Sequence, residues 1–257
     1  MEEHHTHHPK HKKKWAEYII EFVMLFFAVF LGFIAENIRE HIGEQNRAKE
    51  FSASLVRDLQ SDTIAINNQI KKIGIYIAVS DSLIKLSKTK LEGRNASQFL
   101  FYSRFAYWTR EVSWNRSTFE QIKSSGSLRY FRNVDLLQKL LEYDALVNNI
   151  NMEAENNKIR GNMLLTSINS IIDPQLHQDI SKYSLPALDT MSTKTKESFF
   201  SSKTGTLENK REKIMEMLNM VIVNQRNHQS QVNESFSEAS ILAAEIINTL
   251  KKEYHLE

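Results

Sequence analysis

Hydrophobic and polar positions divide this chain in two. One short stretch is apolar on every side, and in the long remainder apolar residues recur at helical spacing. The first is 15–35, WAEYIIEFVMLFFAVFLGFIA. Its uncharged run, 22–35, is short for a bilayer, because a hydrocarbon core about 30 Å thick takes roughly 20 residues at about 1.5 Å each. A membrane-spanning helix therefore starts near Trp15 and takes in Glu17 and Glu21. Trp15 and Tyr18 suit the headgroup level, where a ring is apolar on one side and wet on the other. Glu21 falls deeper, as an intramembrane polar group that must be protonated, snorkel or find a partner. Ala28 and Gly32 give the span a small face that permits close helix approach. A buried core helix and a cleaved signal peptide are the rival readings. The second calls for small residues at alternate positions before the cleavage site, which Leu31-Gly32-Phe33-Ile34-Ala35-Glu36 does not supply.

From 36 to about 90 the pattern is helical without a breaker. Ile38, Ile42, Phe51, Leu55, Leu59, Ile66, Ile70, Ile73, Ile77 and Ile84 recur three, four or seven apart, which marks one face. The predicted helix runs roughly 80 Å at about 1.5 Å per residue. A stripe of that length must be covered, by later helices of the same chain or by another copy, so Ile42, Leu59, Ile66 and Ile73 are expected to line a bundle or coiled-coil oligomer seam. Gly93 suits a left-handed position just past the helix end. A second helix is predicted from Ser97 to about 114. It carries Phe99, Phe101, Tyr102, Phe105, Tyr107, Trp108 and Trp114, a cluster dense enough to bind a ligand or lie on the bilayer surface but expected in a bundle core, since aromatics bury the most area per residue.

Ser117-Thr118-Phe119-Glu120 has capping-box spacing and opens a short helix that stops at Gly126. Asn133 caps a long helix with Val134, Leu137, Leu140, Leu141, Ala145, Ile150, Met152, Ile159, Met163, Ile168 and Ile171 as its apolar positions, ended by Asp173-Pro174. Residues 174–205, rich in Ser, Thr and Lys, read as a long mobile connection with a short helix at 175–183. One more helix runs from about 206 to 254. The expected organisation is a tail over 1–14, a transmembrane signal-anchor helix over 15–36 and an all-α bundle domain over 37–257.

Composition narrows the function classes. The 257 residues hold 33 basic and 31 acidic side chains, for a net charge of +2, so bulk charge does not point to nucleic acid. Seven glycines and three prolines favour long helices over strand-and-turn folds. With no cysteine, disulfides, thiolate metal sites and a cysteine nucleophile are excluded. His4, His5, His7, His8 and His11 belong to a basic tail expected to adhere to anionic lipid, not to a metal site, since no scaffold fixes ligand geometry. No HExxH, GxGxxG, GxxxxGK[ST] or GxSxG occurs. Acidic residues are expected on polar helix faces beside Lys and Arg. No catalytic, cofactor or metal residue is therefore expected. Lys10, Lys12, Lys13 and Lys14 precede the span, which puts that side in the cytoplasm and the bundle across the membrane, in the periplasm of a Gram-negative cell.

Two blocks together carry a resemblance. One runs from Glu21 through Gly32-Phe33-Ile34-Ala35-Glu36-Asn37-Ile38 to Leu55-Val56-Arg57-Asp58-Leu59. The other is Ser117-Thr118-Phe119-Glu120-Gln121-Ile122-Lys123-Ser124-Ser125-Gly126, then Leu128, Asn133, Leu136-Leu137, Leu140 and Glu142-Tyr143. The chain resembles an uncharacterised family of single-pass membrane proteins from Bacteroidota, a domain of unknown function of the 6090 type. Arg39 stands where that family carries Trp. The resemblance implies the same architecture and no activity. That lineage also implies O-glycosylation at Asp, then Ser or Thr, then an apolar residue: Asp62-Thr63-Ile64, Asp81-Ser82-Leu83 and, foremost, Asp189-Thr190-Met191, which makes Thr190 the leading acceptor. The expected role is that of an inner-membrane scaffold or accessory subunit. Its partners would be lipid and either a second copy or another envelope protein. A periplasmic sensor that binds a small ligand in the bundle is the alternative.

Overall fold

The computed structural model describes residues 15–201 and 204–256, so the His- and Lys-rich tail over 1–14 lies outside the described residues. These residues are all-α, with no strand among them. The chain divides into two units, one ending at Glu50 and one from Phe51 to Glu257. The first helix, α1 (Trp15–Ser87), supplies the described part of the first unit and the opening helix of the second.

In the first unit the large apolar side chains stand outward on every side. Trp15 is 82 % exposed, Phe22 68 %, Leu25 68 % and Val29 69 %. None of the most apolar stretch is buried, and α1 is long and apolar enough to cross a membrane. Glu21, Ala28 and Gly32 are exposed, and a Cβ on Gly32 meets nothing within 4 Å. Ile42 is exposed as well.

The second unit is built on three long helical stretches: α1 from Phe51 onward, α4 (Val134–Asn169), and α8 (Arg211–Gln231) running through a π turn, Val232–Phe236, into α9 (Ser237–Tyr254). α4 packs against α8 and α9. Burial alternates at three and four residues along each stretch. On α1 the buried series is Ser52, Leu55, Leu59, Asp62, Ile66, Gln69, Ile73, Tyr76, Ser80 and Leu83. On α4 it runs Leu136, Leu140, Tyr143, Val147, Ile150, Ala154, Asn157, Gly161, Leu164 and Ile168. Leu59, Ile66 and Ile73 are therefore buried within the chain's own bundle: of the two coverings expected for this stripe, later helices of the same chain supply it here, and no second copy is needed. On α4, Val134, Leu141, Met152, Ile159 and Met163 prove exposed, because Tyr143, Asn157 and Gly161 take inward positions that a search for apolar residues passes over.

Shorter elements close the core. α2 (Gly93–Ser103) begins four residues earlier than predicted and ends far sooner. Gly93, at φ +53°, does adopt the left-handed conformation, though it opens α2. Phe99, Phe101 and Phe105 are fully or almost fully buried, as expected of a core cluster. α3 (Ser117–Ser124) stops before Gly126, which is left-handed at φ +68°. Asn133 caps α4 by accepting from the Leu136 amide at 3.0 Å. The segment after Asp173 is not one open connection. It forms α5 (Pro174–Ile180), α6 (Ala187–Thr190) and α7 (Thr193–Phe200), and it buries Ile180, Leu185, Leu188 and Phe200 in the core. The Asp173 carboxylate caps α5 by accepting from the Gln175 and Leu176 amides, and α7 packs on α2.

Candidate functional site: a buried carboxylate network and a basic aromatic cleft

Two polar features occupy the helical unit. The first begins on α1, where Asp58 and Asp62 lie about one turn apart and point inward. Asp58 accepts from the Thr118 amide at 3.2 Å and from Asn115 Nδ2 at 2.8 Å. Asp62 accepts from the Asn115 amide at 2.6 Å and from the Tyr143 hydroxyl at 3.0 Å. The N-terminus of α3 is thus held by carboxylates from another helix, and this corrects the capping-box reading. The Ser117 hydroxyl bonds Asn115, and Glu120 pairs with Arg116. Asp144 of α4 is buried, pairs with Arg116 and lies 3.4 Å from Lys123 Nζ. Burial pushes the Asp62 carboxyl above its usual range, against the hydrogen bonds from Asn115 and Tyr143 and the Arg116 charge. Burial, then the Asp62 charge beside it, pushes the Tyr143 hydroxyl well above its ordinary value. The carboxylate oxygens of Asp58, Asp62 and Asp144 each meet a donor, so the network fastens the 111–131 segment to α1 and α4.

The second feature is a cleft of about 380 Å³. Lys72 of α1, the segment 104–110 that follows α2, Asn162 of α4 and the turn 183–186 line it. Two contacts fix its wall. A Cβ added to Gly161 would meet the Tyr107 carbonyl oxygen at 2.9 Å and Thr109 Cγ2 at 3.0 Å, so the segment lies directly on the α4 backbone. Gln69 Nε2 donates to the Arg110 carbonyl at 2.6 Å. Tyr107, Trp108 and Tyr183 present aromatic surface, and the Arg104 guanidinium stacks 5.0 Å from the Tyr107 ring centroid. Behind the cleft Trp108 packs on Tyr76 and His228, whose rings lie 4.8 Å apart. Among the described residues neither the Tyr76 hydroxyl nor His228 Nδ1 meets a hydrogen-bond partner. Burial drives the His228 imidazole down to about 4 and lifts the Tyr76 hydroxyl to about 12.

The residues singled out from sequence do not converge. Glu21, Ala28, Gly32 and Ile42 belong to the first unit, and Leu59, Ile66 and Ile73 lie in the core of the second. Thr190 is exposed at the end of α6. The other two glycosylation patterns are in use structurally: Asp62 is buried in the network, while Asp81 accepts from Gln225 at 2.6 Å and Leu83 is fully buried. Among the described residues no group of three or more His, Asp or Glu side chains is placed to hold a metal ion. No family model, no curated protein and no solved structure matches the chain.

Proposed function

We propose that this protein is a single-pass inner-membrane protein whose helical unit acts by binding on the far side of the membrane, as a scaffold or accessory subunit of an envelope complex and not as an enzyme. The observation that carries the reading is the outward apolar surface of 15–34, too large and too continuous to face water. The lysines at 10 and 12–14 orient it with the N-terminal side in the cytoplasm. The family resemblance leads to the same architecture. A seam with a second protein falls on Ala28, Gly32, Ile38 and Ile42, which none of the described residues covers, and not on Leu59, Ile66 or Ile73.

The absence of cysteine makes a clean test. Single cysteines at Ile42, Leu59 and Ile73 are crosslinked in intact cells and the products identified by mass. A product is expected at Ile42 alone. A second copy in it means a homo-oligomeric scaffold, and a different protein means an accessory subunit. Silence at Ile42 defeats the interaction reading. Orientation is tested separately with Lys88→Cys, which a membrane-impermeant maleimide should label from outside the inner membrane. Labelling only after lysis reverses the topology.

A further inference from the structure

Around the 380 Å³ cleft three cations stand without an answer. Lys72, Arg104 and Arg110 make no ion pair and no side-chain hydrogen bond among the described residues, and no carboxylate lines the cleft. Some other cations of the unit are paired: Arg94 grips Glu197 at 2.7 Å, Lys139 reaches Glu245 at 2.6 Å and Arg116 is paired with Asp144. What sets Lys72, Arg104 and Arg110 apart is that the three line one cleft with aromatic walls. Arg104 is the clearest case, because its Nε is buried with no acceptor while its plane is held against Tyr107. Its charge is felt by its neighbours. His177 is held below the ordinary imidazole value first by burial and then by Arg104.

We infer that this cleft binds a small organic anion carrying a flat ring. Its acid groups, phosphate or carboxylate, are taken by Lys72, Arg104 and Arg110, and its ring lies against Tyr107, Trp108 and Tyr183. Arginine forks and aromatic faces are the side chains that recognise acid groups and rings respectively. The volume falls among small-molecule sites, which run from about 300 to 1,000 Å³. The wall is set before a ligand arrives, because Gly161 and Gln69 fix the segment that carries most of the contacts. The inference goes beyond membrane anchoring and does not depend on it, since every residue of the cleft lies within 72–186.

The test is calorimetric titration of the full chain in detergent with four probes: phenyl phosphate, phthalate, inorganic phosphate and benzyl alcohol. At least one of the first two should bind about tenfold tighter than inorganic phosphate or benzyl alcohol, and binding should weaken as salt rises. Phenyl phosphate alone assigns a phosphate ligand, phthalate alone a carboxylate, and both support a site that takes either. Lys72→Ala and Arg110→Ala should each weaken binding about tenfold, the scale of one lost charge-assisted contact. The Arg110 side chain is exposed and has no ion pair among the described residues, so its removal should leave the melting temperature where it was. Arg94→Ala, which breaks an exposed pair elsewhere, should leave binding unchanged. The inference fails if neither ring-bearing acid binds more tightly than about 1 mM. It fails equally if the Lys72→Ala, Arg110→Ala double variant binds as well as the native chain, or if inorganic phosphate binds as tightly as the better of the two ring-bearing acids.

Discussion

Asp62 and His228 are both titratable and both almost fully buried, yet the fold treats them oppositely. Asp62 is held by the Asn115 amide and the Tyr143 hydroxyl. Asp62→Leu would leave the buried Tyr143 hydroxyl unpaired and strip the part-buried Asn115 amide of its acceptor, and about 1–3 kcal/mol of stability should go with them. Denaturant unfolding of the full chain in detergent reads this directly, and an unchanged midpoint would mean the network is ornamental. His228 sits among Tyr76, Trp108 and Gln231 with the Arg160 charge nearby, and is neutral in the folded state. Its folded value, about 4, lies below the 6.5 of the unfolded chain. Above pH 6.5 both states are neutral and the group adds no pH dependence. As pH falls below 6.5 the unfolded chain takes the proton and the folded one does not, so stability is lost progressively down to about pH 4. The full loss approaches about 3 kcal/mol at about 1.4 kcal/mol per unit. Asp62 has the reverse sign, since its raised carboxyl makes the fold favour the protonated form as pH drops. His228→Phe should flatten the loss between pH 6.5 and 4 in a melting series, and an unchanged slope would place the acid sensitivity elsewhere.

At the scale of elements, the spacing of three and four was visible in the sequence only where the inward residue was apolar. Leu55, Leu59, Ile66 and Ile73 announced the α1 face, and continuing their alternation passes through Asp62, Gln69, Tyr76 and Ser80. That register was the available signal that Asp62 faces inward, and residue type concealed it. No comparable signal existed for the end of α2. Neither Pro nor Gly follows Ser103, and the segment leaves the helix to turn Phe105 and Ala106 into the core and lie on Gly161, more than fifty positions away. The cleft was illegible for the same reason, since its cations come from two separate parts of the chain and its lining from four. The last helix shows the register at work. Between His228 and Phe236 the buried positions are eight apart, one more than two alternating steps allow, and the π turn Val232–Phe236 absorbs the extra residue. Deleting Asn233, which is exposed in that turn, should restore α-helical pitch and leave Ala239, Ala243, Ile246 and Leu250 inward. The fold and most of its stability should survive. Deleting Glu238 instead rotates the rest of α9 by about 100° and turns that face outward, at a cost of several kcal/mol. Thermal melts of the two deletions should differ sharply, and equal losses would show that the π turn does not carry the register.

For the molecule as a whole, the division at Glu50 and Phe51 is also a division in what surface the chain leaves uncovered. Beyond Phe51, Leu55, Ile66, Ile73, Leu136, Ile150, Phe236 and Ile246 are closed over by the unit's own residues, and a second cluster runs from Tyr76 through Phe101 and Ile168 to Val221. The large apolar side chains left exposed there, such as Ile64, Met152 and Ile241, are spread along different helices, as on most water-soluble proteins. Over 15–34 they are contiguous. The fragment 51–257 should therefore fold without lipid, remain in solution and show a cooperative helical melt. The full chain should resist carbonate extraction and need detergent. If the fragment aggregates or melts without cooperativity, the helical unit takes part of its core from residues before Phe51 or from another protein. The partner would then be a structural necessity and not only a functional one. If the fragment folds and also keeps the phenyl phosphate response of the full chain, anchoring and ligand binding are separable properties carried by different parts of the sequence.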